Sequence, residues 1–202
     1  MSMSSFNVSS LLRSSRKKSK SEAGSQLTAP AGGKQILFVC TGNIARSASA
    51  KYLARQLAEK GSQWVFDSAG TGAVVGAGVA PYIDRELESR GAEYKNHKAK
   101  QITGDLLAES ALVLVMENEH LNWLVREWPQ CRPKVHLLKQ MARVKDTAGR
   151  RVDPVAFMRQ LDEAPLAEDR IADPYRKGPE AARVAVEEIE LALTKIIPWL
   201  GS

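Results

Sequence analysis

This chain of 202 residues has few cysteines, few histidines and no long hydrophobic run. Its two cysteines, Cys40 and Cys131, are far apart, which excludes a disulfide framework and favours a reducing compartment. The three histidines, His97, His120 and His136, lack metal-ligand spacing, so we expect no metal and no other cofactor. No segment approaches the roughly 20 apolar residues of a membrane-spanning helix, and we expect a cytoplasmic protein without a membrane span.

Excess positive charge is absent from most of the chain. The formal net charge is +6, and residues 1–33 supply four of these charges through five basic side chains and one acidic one. The basic total is therefore no sign of nucleic-acid binding by the remainder. Residues 1–33 are rich in Ser, Lys, Arg, Ala and Gly, which predicts a disordered basic tail, and residues 34–202 are predicted to form the folded domain.

From Lys34 onward, apolar runs alternate with helical patterns. This alternation predicts an α/β fold, a doubly wound four-stranded parallel sheet with helices on both faces. Such sheets bind ligands at the carboxyl ends of their strands. The predicted strands lie at about 35–40, 63–67, 111–116 and 134–138, and the predicted helices at about 46–60, 80–90, 103–109, 117–127 and 179–198, the last with an apolar stripe of Val184, Ile189, Leu193 and Ile197.

The most informative segment begins at Cys40, directly after the apolar run 36–39. Cys40 is followed by five residues and then Arg46, and the pattern places the thiol at a turn from strand to helix. Unpaired backbone N–H groups and the positive helix end collect there, where they stabilise a thiolate and can hold phosphate oxygens. The guanidinium of Arg46 can bind two of those oxygens. The segment therefore predicts a cysteine nucleophile in a phosphate-binding loop, the alternative being a small buried structural cysteine.

Each residue of this loop has an expected role in its shape or chemistry. Gly42 is expected to allow positive φ, and Asn43 tolerates the left-handed region and can hold the loop through its side chain. Ser47 can direct a hydroxyl toward the sulfur. The predicted phosphate-binding loop consists of Thr41, Gly42, Asn43, Ile44, Ala45 and Ser47.

A thiolate that attacks a phosphate ester also needs an acid to protonate the leaving oxygen. Two Asp-Pro pairs are candidates. Asp153 precedes Pro154 and an amphipathic run, which is a typical helix start, so its carboxylate is interpreted as an N-cap. Asp173 lies in a loop with no helix until Pro179, and Tyr175 beside it can contact an aromatic substrate. We therefore predict Asp173 as the general acid.

The chain resembles the low-molecular-weight protein tyrosine phosphatases over about residues 35–199. The segments at 72–76, 115–120 and 173–177 are most similar to the bacterial branch associated with exopolysaccharide and capsule production. That branch typically dephosphorylates a membrane tyrosine autokinase, so the resemblance implies a phosphotyrosyl protein as substrate. The segments that carry the family resemblance are 39–47, 67–71, 97–103, 112–116 and 173–175.

The resemblance also implies roles for individual residues. Cys40 would be the nucleophile, Arg46 the phosphate-binding side chain, and Asp173 the acid that later activates water. No metal is implied. Asn43, Ser47 and Ser68 would hold the loop and the thiolate. Ala45 occupies a position where many members carry a second cysteine, so a protective disulfide is not expected there and Cys40 should be open to over-oxidation.

Three alternatives remain at this point. An arsenate reductase of the same fold that uses an external thiol needs only Cys40, although Asp173 favours ester cleavage. A protein arginine phosphatase resembles the chain less, because that branch has a threonine where this chain has Ile44. A non-catalytic phosphotyrosine-binding module would need only the loop, and the presence of all three catalytic side chains argues against it.

Overall fold

Four parallel strands form one sheet, in which the first strand lies between the second and the third. The computed structural model describes residues 34–149 and 152–201; the predicted disordered tail, residues 1–33, lies outside these ranges. The strand prediction is confirmed, with small shifts at the ends. The strands are β1 (Lys34–Cys40), β2 (Trp64–Gly70), β3 (Ser110–Val115) and β4 (Val135–Leu137).

Helices cover both faces of the sheet, as predicted for a doubly wound fold. They are α1 (Arg46–Leu57), α2 (Ile83–Ser89), α3 (Gly104–Glu109), α4 (Asn118–Glu127), α5 (Leu138–Val144), α6 (Pro154–Gln160) and α7 (Gly178–Leu200). Short 3-10 turns lie at Pro129–Lys134, Lys145–Thr147 and Ala167–Asp169.

Alternate residues of β1 supply two separate cores. Ile36 and Phe38 belong to the core that contains α1, α5 and α7, whereas Leu37 and Val39 belong to the core that contains α3 and α4. This division follows from the period of a strand, in which successive side chains point to opposite faces. Because both faces are covered, the strand is a continuous apolar run rather than an alternating one.

The carboxyl end of β1 lies where the strand order reverses. The chain leaves β1 through α1 to reach β2 on one side, and later returns to β3 on the other side. Such a switch point opens a crevice at the carboxyl edge of the sheet, which is where this class of fold binds ligands. Cys40 is the last residue of β1, so the fold positions the thiol at that crevice.

Three details differ from the predictions. Val184 is exposed rather than part of the apolar stripe of α7, where Ala185 and Val186 are buried instead. Ser68 lies within β2 and not in a loop, because pairing with β1 continues to the pair Cys40–Gly70.

The third difference is in the loop, where positive φ falls on Asn43 (54°) and not on Gly42. The segment 141–170, whose composition is polar, contributes Met141 and Met158 to the core that contains α7.

Candidate active site

The loop between β1 and α1 is closed around the sulfur of Cys40. The Cys40 Sγ and Ser47 Oγ atoms lie 3.0 Å apart, and both side chains are buried. Ser47 is in the first turn of α1, so the sulfur faces the end of the helix that carries unpaired N–H groups. These features suit a thiolate, because a hydroxyl donor and the helix end both stabilise negative charge on sulfur.

The side chain of Asn43 stabilises the loop through hydrogen bonds. Its φ of 54° is in the left-handed region, which asparagine tolerates better than most residues. Its Nδ2 donates to Ser47 Oγ at 3.0 Å and to Ser68 Oγ at 2.9 Å, and its Oδ1 accepts from the backbone N–H of Lys100 at 2.9 Å. The structure thus brings together the three residues predicted to hold the loop and the thiolate.

His97 contacts the backbone of the same loop, an interaction that the sequence did not reveal. Its Nε2 lies 2.6 Å from the backbone oxygen of Asn43, and its Nδ1 lies 3.3 Å from the Tyr52 hydroxyl. Burial lowers the pKa of the His97 imidazole, and the nearby Lys51 ammonium lowers it further against the opposing hydrogen bond to Asn43. A neutral ring that donates from Nε2 and accepts at Nδ1 fits both partners.

Arg46 is almost fully buried, with 1% of its side chain exposed. Its Nη1 donates to Glu117 Oε1 at 2.7 Å and to the backbone oxygen of Ile171 at 3.1 Å, and its Nη2 lies 3.3 Å from Asp173 Oδ2. Its Nε has no hydrogen-bond partner within 34–149 and 152–201. A buried guanidinium needs such compensation, because a charge removed from water without a partner is strongly unfavourable.

Glu117 is the principal partner of that guanidinium, and sequence reasoning missed it. It follows the carboxyl end of β3, next to the end of β1, which is the one sequence signal that could have identified it. Burial raises the pKa of the Glu117 carboxyl, but the hydrogen bond and charge of Arg46 outweigh burial, so the pKa lies below its ordinary value. Glu117 is therefore a carboxylate when Arg46 is paired with it.

The two Asp-Pro pairs lie in different settings. Asp153 accepts a hydrogen bond from the backbone N–H of Ala156 at 2.8 Å and caps α6, which confirms the structural interpretation. Asp173 lies in the loop before α7, where its Oδ1 accepts from the backbone N–H of Tyr175 at 3.2 Å and its Oδ2 faces Arg46. With 41% of its side chain exposed, the Asp173 carboxyl is accessible to a substrate and to water.

Comparison with known proteins agrees with this geometry. The family model "Low molecular weight phosphotyrosine protein phosphatase" matches residues 35–154, which include Cys40 and Arg46 but not Asp173. The probable low molecular weight protein-tyrosine-phosphatase EpsP of Ralstonia nicotianae is 31% identical over 165 residues, covering 82% of this chain and 94% of that protein. The chain belongs to the low molecular weight phosphotyrosine protein phosphatase family.

Solved structures of two bacterial phosphatases have the same fold. The tyrosine phosphatase AmsI of Erwinia amylovora matches with a TM-score of 0.66 and 26% identity, over 84% of this chain and 95% of that one. The YwlE arginine phosphatase of Geobacillus stearothermophilus matches with a TM-score of 0.66 and 27% identity, over 83% and 93%. The predictions of the family and of its exopolysaccharide-associated bacterial branch are confirmed by the relatives EpsP and AmsI.

Within this family member, His120 contacts Thr41, the first residue after Cys40. Its Nε2 lies 3.0 Å from Thr41 Oγ1, and its Nδ1 has no hydrogen-bond partner in the described part of the chain. Burial and then the charge of Arg46 lower the pKa of His120 to about 4, against the opposing effect of Glu117. The ring is therefore neutral near pH 7 and adds no second cation beside Arg46.

Exposed aliphatic and aromatic side chains form a rim near the loop that follows Cys40 and on the segment that carries Asp173. Val74 and Val75 are exposed, and the backbone N–H of Val74 donates to the Gly42 carbonyl at 3.1 Å, which places this rim next to the loop. Tyr175 is exposed on the acid loop, with the Arg176 guanidinium 5.1 Å from its ring centre. Apolar and aromatic surface is thus exposed both beside the loop and on the segment that carries Asp173.

Residues 34–149 and 152–201 contain neither a metal-ligand cluster nor a membrane-spanning helix. No group of three or more His, Cys, Asp or Glu side chains in these ranges could hold a metal ion. None of the helices there has the combined length and apolar character that crossing a membrane requires.

Proposed function

We propose that this family member hydrolyses phosphotyrosine in proteins through a phosphocysteine intermediate. In the first step, the Cys40 thiolate attacks phosphorus, the P–S bond forms, and the bond from phosphorus to the tyrosine oxygen breaks. The protonated Asp173 carboxyl gives its proton to that leaving oxygen. In the second step, Asp173 takes a proton from water, the water oxygen attacks phosphorus, and the P–S bond breaks to release phosphate and the thiolate.

The observation that carries this proposal is the convergence of three groups at one edge of the sheet. Arg46 lies in the loop that begins at Cys40, and its Nη2 is 3.3 Å from Asp173 Oδ2. A phosphate placed on the loop would meet the guanidinium, the sulfur and the acid together. Arg46 would then bind phosphate oxygens, including through its unpartnered Nε, and match the charge that develops in the transition state.

The remaining loop residues have supporting roles in this proposal. Their backbone N–H groups would surround the phosphate oxygens, as a loop at a helix N-terminus does. Ser68 would act through Asn43, and Tyr175 would line one side of the substrate ring. The proposed phosphate-binding loop is Thr41, Gly42, Asn43, Ile44, Ala45 and Ser47.

For the physiological substrate, we propose a membrane tyrosine autokinase of exopolysaccharide production, dephosphorylated in the cytoplasm. The tyrosine phosphatase names of the relatives EpsP and AmsI support the substrate class. Both cysteines are free and buried, which suits a reducing compartment.

Steady-state hydrolysis of a phosphotyrosyl peptide tests the proposal. Cys40→Ser should lose at least about 10³-fold in kcat, since the nucleophile is removed. Asp173→Asn should lose about 10²-fold or more. Cys131→Ser, which changes a buried cysteine of the other core, is the matched control and should retain activity. Full turnover by Cys40→Ser would contradict the mechanism.

Two further substrates separate the alternatives. A phosphoarginyl peptide tests the activity named for the YwlE neighbour, and arsenate with a small thiol tests reduction on the same fold. We expect both to react far more slowly than the phosphotyrosyl peptide. Ile44 offers no polar partner for a phosphoguanidinium, and arsenate reduction gives no role to the acid at Asp173.

A further inference from the structure

We propose that Arg170 is a positioning residue that holds the loop of Asp173 against the phosphate site through Glu117. This inference rests on the proposed function, because Arg170 would act through the acid and not on the substrate itself. Arg170 precedes Asp173 by three residues, and neither its type nor its spacing singled it out in the sequence.

The carboxylate of Glu117 is shared between two arginines. Its Oε1 accepts from Arg46 at 2.7 Å, and its Oε2 accepts from the Nε of Arg170 at 3.0 Å. Glu117 is nearly buried, with 11% of its side chain exposed, whereas Arg170 is 58% exposed. One carboxylate therefore joins the phosphate-binding guanidinium to the segment that carries the acid.

Backbone contacts hold the same point of the loop. The N–H of Ile171 donates to the carbonyl of Met116 at 2.8 Å, and the carbonyl of Ile171 accepts from Arg46 at 3.1 Å. Upstream, Asp169 accepts from the Arg143 Nε at 3.0 Å and Nη2 at 2.8 Å. The Arg170–Glu117 pair is thus the last ionic anchor before the acid, next to the buried side chain of Ile171.

Beyond this anchor, the loop has weaker restraints. Residues 172–177 run to the start of α7 with an Asx turn at Asp173 and a backbone bond from Lys177 to the Pro174 carbonyl at 3.1 Å. Asp173 faces Arg46 at 3.3 Å from this stretch, which is largely exposed apart from the buried Pro174. Loss of the Arg170 anchor would therefore let the carboxyl move relative to the phosphate site without unfolding the sheet.

A displaced acid has a specific chemical signature. A leaving group such as p-nitrophenolate departs with little need of a proton, whereas the tyrosine oxygen, whose phenol has a pKa of about 10, needs one. Misplacement of Asp173 should consequently slow phosphotyrosine cleavage more than p-nitrophenyl phosphate cleavage. A general loss of fold or of phosphate binding would slow both substrates equally.

The experiment compares kcat/KM for p-nitrophenyl phosphate and for phosphotyrosine in Arg170→Ala, Arg170→Lys and the wild type. Arg170→Ala should lose about tenfold on phosphotyrosine and less than about twofold on p-nitrophenyl phosphate, since general acid catalysis is only partly lost. Arg170→Lys, which keeps the charge, should recover part of the loss. Arg126→Ala removes an exposed arginine that pairs with the neighbouring Glu127 and should change neither value.

Asp173→Asn provides the reference that separates this inference from the proposed function. If Asp173→Asn shows the selective loss and Arg170→Ala does not, the positioning role of Arg170 is wrong while the acid assignment stands. If Asp173→Asn shows no selective loss, the acid assignment itself fails.

The double variant, which combines Arg170→Ala with Asp173→Asn, should lose no more kcat/KM on phosphotyrosine than Asp173→Asn alone, and an additive loss would overturn the inference. Should Arg170→Ala fail to fold, Arg170→Gln replaces it. An equal fall in kcat/KM for both substrates in Arg170→Gln would likewise overturn the inference.

Discussion

The guanidinium of Arg46 and the carboxylate of Glu117 lie 2.7 Å apart in the interior, at the point where β1 and β3 end. This pair supplies charge compensation for a nearly buried arginine from within the fold itself. Glu117 offsets the charge, and Arg170 on the other carboxylate oxygen partly offsets Glu117. The side chain that we propose to bind phosphate is consequently held in one orientation before the substrate arrives.

Glu117→Gln should lower stability and activity together. The amide keeps an acceptor for Arg46 but removes the compensating charge, which leaves a buried guanidinium poorly paired. We expect a loss of about 3 kcal/mol in the free energy of unfolding, seen as a Tm lower by about 6–12 °C. Thermal unfolding measured with and without inorganic phosphate checks this.

Phosphate supplies the control for that experiment. A bound dianion would compensate Arg46, so phosphate should raise the Tm of Glu117→Gln by more than it raises that of the wild type. An unchanged Tm in Glu117→Gln, or an equal rise in both proteins, would contradict the view that Glu117 neutralises the phosphate-binding arginine.

Gly70 is the point of closest approach between β2 and the phosphate loop. A Cβ at this position would overlap the Thr41 carbonyl oxygen and lie 3.0 Å from the Asn43 backbone nitrogen. Gly70→Ala should therefore displace the loop, with about 3 kcal/mol lost in stability and a fall in kcat/KM of at least about tenfold. Gly78→Ala is the matched control, because a Cβ there meets no atom within 4 Å.

Chemical denaturation and p-nitrophenyl phosphate turnover of both alanine variants test this steric argument. Full activity in Gly70→Ala would mean that the loop tolerates displacement by a methyl group. Equal losses in the two variants would contradict the steric argument, because backbone entropy alone favours alanine over glycine in the folded protein and cannot cause a loss.

Sequence reasoning could predict the parts of the candidate site that depend on local spacing. Cys40 and Arg46 share one turn, and Asp173 stood out because Asp153 had a better local explanation as a helix cap. The strands and the helices on both faces were also predictable, since apolar runs alternate with helical patterns along the chain.

The missing residues are partners across the fold. Glu117 is 71 positions from Arg46, His120 is 79 from Thr41, and His97 is 54 from Asn43. No local pattern relates such pairs, because only the order of the strands in the sheet brings them together. The side chain of Val184 was misassigned for a similar reason, since the packing partners of α7 decide which of its faces is buried.

His136 should make the fold sensitive to mild acid. The imidazole is buried in β4, and burial lowers its pKa to about 4, against the opposing hydrogen bond from its Nε2 to the Pro133 carbonyl at 3.2 Å. In the unfolded chain the imidazole binds a proton near pH 6.5. The stability that depends on a neutral His136 is therefore fully present above pH 6.5 and is lost as the pH falls toward 4. Between pH 7.5 and 5 the loss is about 2 kcal/mol.

Urea unfolding of the wild type and His136→Gln at these two pH values measures the effect. The variant keeps a donor for the Pro133 carbonyl but does not titrate, so its stability should fall by about 2 kcal/mol less than that of the wild type. The change in the free energy of unfolding between the two pH values can be compared even if the variant is less stable at both. An equal change in the wild type and in His136→Gln would show that His136 does not cause the loss of stability in acid.

Hydrogen peroxide should inactivate the enzyme without recovery by thiols. Cys40 and Cys131 lie in different cores on opposite faces of the sheet, and Ala45 supplies no thiol within the loop. Sulfenic acid at Cys40 therefore lacks a protein thiol with which to form a disulfide. Continued exposure to peroxide should oxidise it to sulfinic acid, which dithiothreitol does not reduce.

Mass spectrometry of the peptide that contains Cys40, with activity measured before and after dithiothreitol, tests this prediction. Cys131→Ser should be inactivated at the same rate, and phosphate on the loop should slow the reaction in both proteins. Complete recovery after long exposure would mean that another thiol reaches Cys40 and that the separation of the two cores does not isolate it.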